Sequence, residues 1–184
     1  MQKYLPALLL ILLGVSARLL PHPANFAPIA AIGLFSGMYL PKKYALIIPG
    51  LALIASDFVL GSYLWQVMVA VYICFGMSGL IGMKLGAYFT RLNTSKLSKF
   101  NALVGSTLLG SIIFFLVTNW AVWAFGTMYP HTASGLMQSY TMALPFFKNT
   151  LLGDIFYTGM LVGVMELIRS TSKRSVLKKL EVRG

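Results

Sequence analysis

FFLVTNWAVWAFGTMYPHTASGLMQSYTMALPFFKNTLLGD, residues 114–154, begins inside an apolar helix and breaks at Gly126. It crosses a loop carrying Tyr129, Pro130 and His131, then a short amphipathic piece, Ser134–Phe147, that ends in Pro145-Phe146-Phe147. Lys148, Asn149 and Asp154 lead into a second apolar helix. An asparagine within hydrocarbon (Asn119), two tryptophans beside it (Trp120, Trp123) and an acid inside the next helix are costly in a plain anchor. Polar groups in a membrane span usually face a cavity or a partner. The stretch therefore reads as the wall and roof of a small-molecule site.

The rest of the chain fits a membrane setting. Its 184 residues are 58% hydrophobic and 10% charged, with a mean hydropathy of +0.78, whereas a soluble domain carries about 25% charged residues. The net charge of +11 does not point to nucleic acid, because the basic residues sit in short segments between apolar runs and in the tail from Arg169 onward. That distribution is a topology signal. Cys74 is the one cysteine, so an internal disulfide is excluded, and its apolar surroundings predict a buried, inert thiol.

Six apolar runs predict an all-α bundle of six transmembrane helices over residues 1–170, followed by a basic cytoplasmic tail, 171–184. The runs are Leu5–Leu20, Phe26–Leu40, Tyr44–Leu60, Leu64–Phe89, Ala102–Phe125 and Leu151–Ile168. Val15-Ser16-Ala17 fits a signal-peptidase pattern, but the preceding segment has the single charge of Lys3 and a new apolar run follows almost at once, so a retained first helix is expected. Pro49 predicts a kink, and Gly61-Ser62 a tight turn. Gly33/Gly37, Gly82/Gly86, Gly159/Gly163 and Ala27/Ala31 each have the spacing that lets helix backbones approach closely.

Six spans place both termini on one side, together with Lys3, Lys42, Lys43, Lys84, Arg91, Lys96, Lys99 and the basic tail. The opposite side keeps Arg18 and Lys148. Short cytoplasmic segments retain Lys and Arg, so both termini are expected in the cytoplasm of a cell whose inner (plasma) membrane holds the chain. Arg18, His22, Asn25, Asp57, Asn119, Trp120, Trp123, Tyr129, Lys148 and Asp154 then fall on the outer half, as a pocket open to the outside requires.

Each of these residues has a second, structural reading. The tryptophans and tyrosines suit an aromatic belt at the interface, and Asn119 suits an interhelical hydrogen bond. Asp57 and Asp154 suit ion pairs with Arg18 and Lys148, and the amphipathic piece suits a helix lying on the membrane rather than a lid. His22 and His131 lack metal-ligand spacing. No nucleotide motif or nucleophile elbow is present, and no cofactor is expected.

Two blocks carry a family resemblance. PHPANFAPIAAIGLFSGMYLPKKYALIIPGLALIASDFVLG, residues 21–61, and the stretch from Phe114 through Tyr157 resemble an uncharacterised bacterial membrane protein family that carries a transporter label. More distantly, the six-span layout resembles the substrate-binding S components of energy-coupling-factor (ECF) vitamin transporters. That resemblance implies a vitamin-like solute held near the outer face, and a transmembrane coupling subunit with ATPases that docks on small residues, here Ala27 and Ala31. The short first helix and the Pro-His-Pro turn depart from that resemblance, so it implies no particular substrate.

The reading is a substrate-binding transport subunit for a small vitamin-like or heterocyclic solute, energised by separate ATPase chains. Two alternatives stand beside it. One is a membrane enzyme acting on an outer-face lipid or glycan, and the other is an assembly subunit without a ligand.

Overall fold

A computed structural model of the chain describes residues 5–61, 63–91 and 94–181, with side chains as far as Thr171. Lys3, Ser62 of the expected tight turn and the side chains of the basic tail beyond Thr171 lie outside the described residues. Six helices follow one another: α1 (Leu5–Leu19), α2 (Ile29–Tyr39), α3 (Tyr44–Leu60), α4 (Trp65–Phe89), α5 (Lys96–Phe125) and α6 (Ala133–Glu181). Local chemistry sets their ends. Pro28 and Pro41 bracket α2, and Gly61, at φ 93° where a side chain would be strained, closes α3. Ser95 opens α5 by accepting a 3.1 Å hydrogen bond from the Ser98 amide.

The expected all-α class is met. α4, α5 and residues Ala133–Thr171 of α6 are long and apolar enough to cross a membrane. α1, α2 and α3, with 15, 11 and 17 residues, are shorter than the roughly 20 residues of a typical span.

The expectation of a separate amphipathic helix between the fifth and sixth runs is overturned. Residues Ser134–Phe147 form the first part of α6, a continuous helix of 49 residues that passes through Pro145. Pro145 removes one backbone donor, but both sides of it are tied to α5. Ser139 Oγ donates to the Asn119 carbonyl and Tyr140 Oη to the Leu116 carbonyl, both at 3.0 Å, while Ser111 Oγ donates to Asp154 Oδ2 at 2.6 Å.

The inward face of this segment also differs from the expected stripe of Leu136, Tyr140, Leu144 and Phe147. Gly135, Ser139 and Ala143 are buried at i, i+4 spacing, whereas Leu144 is exposed. The reason is general to this molecule. Large aliphatic side chains such as Leu9, Ile54, Leu116 and Val164 face outward, while Ser36, Ser56, Ser78, Thr107, Ser111, Thr118 and Thr150 are buried. Hydrocarbon solvates leucine as well as a protein core does, so small residues take the helix contacts. Most of the buried hydroxyls donate to a carbonyl one turn back on their own helix, as Ser56 does to Ala52 at 2.7 Å and Thr118 to Phe114 at 2.7 Å.

α2 is the hub, touching all five other helices, with Ile29 and the run from Ala31 to Gly37 buried. Its tightest contact is with α4. A Cβ at Gly37 would fall against the Gly79 carbonyl oxygen, one at Gly82 against that of Leu34, and one at Gly86 against that of Met38. The expected close packing of Gly33/Gly37 and Gly82/Gly86 is therefore present. That of Gly159/Gly163 is not, because nothing lies within 4 Å of a Cβ at either position and both face outward.

Candidate functional site

The helices alternate in direction, so the ends of α1, α3 and α5 meet the starts of α2, α4 and α6. At this end lies a cavity of about 480 Å³, within the size range of small-molecule sites. Arg18 reaches it from the last turn of α1, and His22 and Asn25 from the α1–α2 turn. Phe115, Thr118 and Asn119 come from α5, and Phe146, Phe147, Thr150 and Asp154 from α6. Ile29, Val71, Phe75 and Phe114 complete an apolar lining. Aromatic rings pack in pairs in its wall, with centroids 5.1 Å apart for Phe75 and Phe114 and 4.5 Å for Phe115 and Phe147.

The α1–α2 turn is shaped by its own residues. The Phe26 amide donates to the Pro23 carbonyl at 2.9 Å, and Asn25 adopts φ 65°, a left-handed conformation that asparagine tolerates better than most residues. Asn149 Nδ2 donates to the Ala24 carbonyl at 3.0 Å and so ties the turn to α6. His22 Nδ1 donates to the Leu20 carbonyl at 2.7 Å, which leaves Nε2 as the ring's acceptor.

The charges around the cavity are arranged unequally. Arg18 Nη2 lies 2.8 Å from Asp57 Oδ1, and its Nη1 donates to Ser56 Oγ at 2.5 Å. Tyr72 Oη donates to the other Asp57 oxygen at 2.9 Å. The pair is thus internally neutral, with Asp57 behind the arginine and outside the cavity lining. Partial burial, and then the Asp57 carboxylate, raise the pKa of Tyr63 at the rim, so its phenol stays a neutral donor. Asp154 lies at the floor, 4% exposed. Its partner is Ser111, not Lys148, which is exposed and outside the cavity lining.

Asn119 lines the cavity, but the hydrogen bond it makes is within its own helix, from Nδ2 to the Phe115 carbonyl at 2.7 Å. The expected interhelical bond is absent among the described residues. Its Oδ1 and second N–H remain for another partner. Trp120, Trp123 and Tyr129 lie outside the lining. Trp120 is 45% exposed on the outer surface and packs edge-on to Phe125. Trp123 Nε1 donates to the Pro130 carbonyl at 3.0 Å, and His131 Nε2 donates to the Gly126 carbonyl at 3.0 Å. These two fasten the α5–α6 loop.

Ala27 precedes α2 and lines the cavity, and Ala31 is 1% exposed inside the bundle. The pair is not presented together on an outer face, because Ala31 is buried among the helices and Ala27 is half-buried at the cavity.

Phe75, Phe114, Phe115 and Thr150 also line the cavity without standing out in the sequence, and Phe146 and Phe147 belong to its wall. The available signal was the aromatic content of α5 one turn before Asn119. No group of three His, Cys, Asp or Glu side chains comes together among the described residues.

The chain belongs to the Family of unknown function (DUF6580), whose model matches residues 1–177. No curated protein matches it. No solved structure matches it.

Proposed function

We propose that this chain is a membrane transport protein that binds a compact, partly aromatic or heterocyclic solute in the cavity between its helix ends. The observation that carries this reading is the lining itself. Residues far apart in sequence, Arg18, His22, Asn25, Asn119 and Asp154, meet around one aromatic-walled space of about 480 Å³. Flat apolar walls with a few convergent polar groups favour such a solute over a bare lipid tail.

The charge pattern supports an outward-facing cavity with both termini cytoplasmic in the inner membrane, because Lys and Arg gather at the opposite end. In this reading the shorter α1–α3 complete a six-span bundle by packing against the longer helices. The chain is then the solute-binding subunit, as in the S components that its layout resembles, and separate ATPase chains supply the energy. Ala27 and Ala31 give this partnership no surface, so a coupling subunit would dock elsewhere.

The test begins with native mass spectrometry of the purified protein to identify a co-purifying solute, followed by titration of that solute. Asn119→Ala should weaken binding roughly five- to thirtyfold, the cost of about 1–2 kcal/mol for an unpaired polar group in the site. Unchanged affinity in both Asn119→Ala and His22→Ala would remove the solute from this cavity.

A further inference from the structure

A second large cavity, of about 440 Å³, lies at the other end of the bundle, between the ends of α2, α4 and α6 and the start of α5. The three long apolar helices leave hydrocarbon at this level. α4 closes at Phe89, α5 opens at Lys96 and the apolar part of α6 ends at Thr171. Lys96, Phe100, Glu166 and Arg169 are exposed, so the cavity opens outward between the helices.

Its lining changes character with depth. On α5 it runs from Lys96 and Lys99 to Phe100 and Leu103, and on α6 from Arg169 through Glu166 to Val162. Both series have the spacing of one helix face. Each passes from charge at the helix end to apolar side chains about 10 Å further into the span. The cations are held against rings of the same lining. Lys99 Nζ lies 5.6 Å from the centre of the Phe89 ring, and the Arg169 guanidinium 4.6 Å from that of Tyr39. Glu166 is the one carboxylate in the lining. It is already engaged, accepting from Tyr39 Oη at 2.9 Å and pairing with Arg169 Nη1 at 3.5 Å. Lys96 and Lys99 have no ion-pair partner among the described residues. Three cations against one carboxylate leave the cavity with two positive charges in excess.

We propose that this cavity binds an anionic phospholipid, with the phosphate at Lys96 and Lys99 and an acyl chain along Phe100 and Leu103. The match is one of polarity and sign together. Basic pockets between membrane helices at the headgroup level select anionic lipids. A soluble anion would leave the apolar part of the lining uncovered, and a zwitterionic lipid would bring its own ammonium to a site already positive. The proposal rests on the membrane setting of α4, α5 and α6, and not on a solute in the other cavity.

The test uses the delipidated full chain in detergent, read by native mass spectrometry and by thermal melting. It is titrated with phosphatidylglycerol, phosphatidylcholine or glycerol 3-phosphate. Wild type should bind phosphatidylglycerol, and be stabilised by it, at lower concentration than phosphatidylcholine, and should not respond to glycerol 3-phosphate. Lys96 is exposed and Lys99 half-buried, so Lys96→Gln and Lys99→Gln should both fold. Each should weaken phosphatidylglycerol roughly fivefold and leave phosphatidylcholine unchanged. Lys84→Gln removes an exposed cation of α4 outside the lining and should change neither. The lipid preference of wild type decides the matter even if a variant fails to fold. Equal binding of the two lipids would overturn the proposal and leave the groove to another protein chain. An equal loss in Lys84→Gln would overturn it as well, by making the preference one of overall charge. A response to glycerol 3-phosphate that matches phosphatidylglycerol would replace the lipid by a soluble phosphate.

Discussion

Where α4 crosses α2, Gly37, Gly82 and Gly86 bring backbone against backbone and leave no room for a side chain. Where α5 faces α6, Phe115 and Phe147 stand between the helices with ring centroids 4.5 Å apart, and a cavity of about 480 Å³ opens beside them. The same apolar composition thus builds a seam and an opening. The difference is side-chain volume at the contact. In a bilayer there is little hydrophobic gain in moving leucine from lipid to protein, so dispersion at short range holds the glycine seam together. The phenylalanine end gives up that close approach and keeps space for another molecule.

The contrast makes its largest prediction at the seam. Gly82→Val would drive a branched side chain into the Leu34 backbone, which cannot move aside as a flexible side chain can. The expected loss is about 3 kcal/mol or more, read as collapse of the detergent melt or of monodisperse yield. A wild-type melt would show that α2 and α4 are further apart than described.

Next comes the Arg18–Asp57 pair, whose side chains are 18% and 6% exposed. Arg18→Gln should cost about 2 kcal/mol, between the values for exposed and buried pairs. The double variant with Asp57→Asn should recover part of that cost. Additive losses in that cycle would mean the two charges do not interact.

At the open end, Asn119→Ala should leave the melt within about 0.5 kcal/mol of wild type while weakening solute binding as stated above. A matching loss of stability would make Asn119 a packing residue. Smaller still is Trp120→Phe, expected to change affinity less than about twofold, since this ring faces outward. A large quenching of its fluorescence by solute would place the solute outside the cavity. The smallest effect belongs to Gly159→Ala. Nothing lies within 4 Å of the added methyl, and the melt should stay within about 0.5 kcal/mol.

Much of this was legible in the sequence, and the failures share a cause. The all-α class, the meeting of Arg18, His22, Asn25, Asn119 and Asp154 at one end of the bundle, and the α2 and α4 glycine spacings all follow from composition and period. The Leu136–Tyr140–Leu144 stripe misled because apolar periodicity marks a buried face in water, whereas in lipid Leu144 turns outward and Ser139 inward. Gly159/Gly163 misled because spacing alone does not say whether another helix is opposite. Trp120 was beyond reach for the same reason, since its rotational position depends on which face of α5 meets α6. Lys148 was paired with Asp154 by nearness in sequence, yet Asp154 lies more than a turn further along the helix and faces Ser111.

The continuity of α6 has a mechanical consequence. Pro145, the one point in this helix where the proline ring removes a backbone donor, immediately precedes Phe146 and Phe147 in the cavity wall. From there to Arg169 the rod is about 36 Å long at 1.5 Å per residue. A one-degree tilt about Pro145 therefore carries the far end sideways by about 0.6 Å, and a five-degree tilt by about 3 Å. At that far end Glu166 accepts from Tyr39 Oη at 2.9 Å, and the Arg169 guanidinium lies 4.6 Å from the Tyr39 ring centre. If a solute occupies the cavity as proposed, α6 would act as a lever whose short-range input is pressure on two phenylalanines. Its output would be strain on the contact with α2 at the opposite end of the bundle.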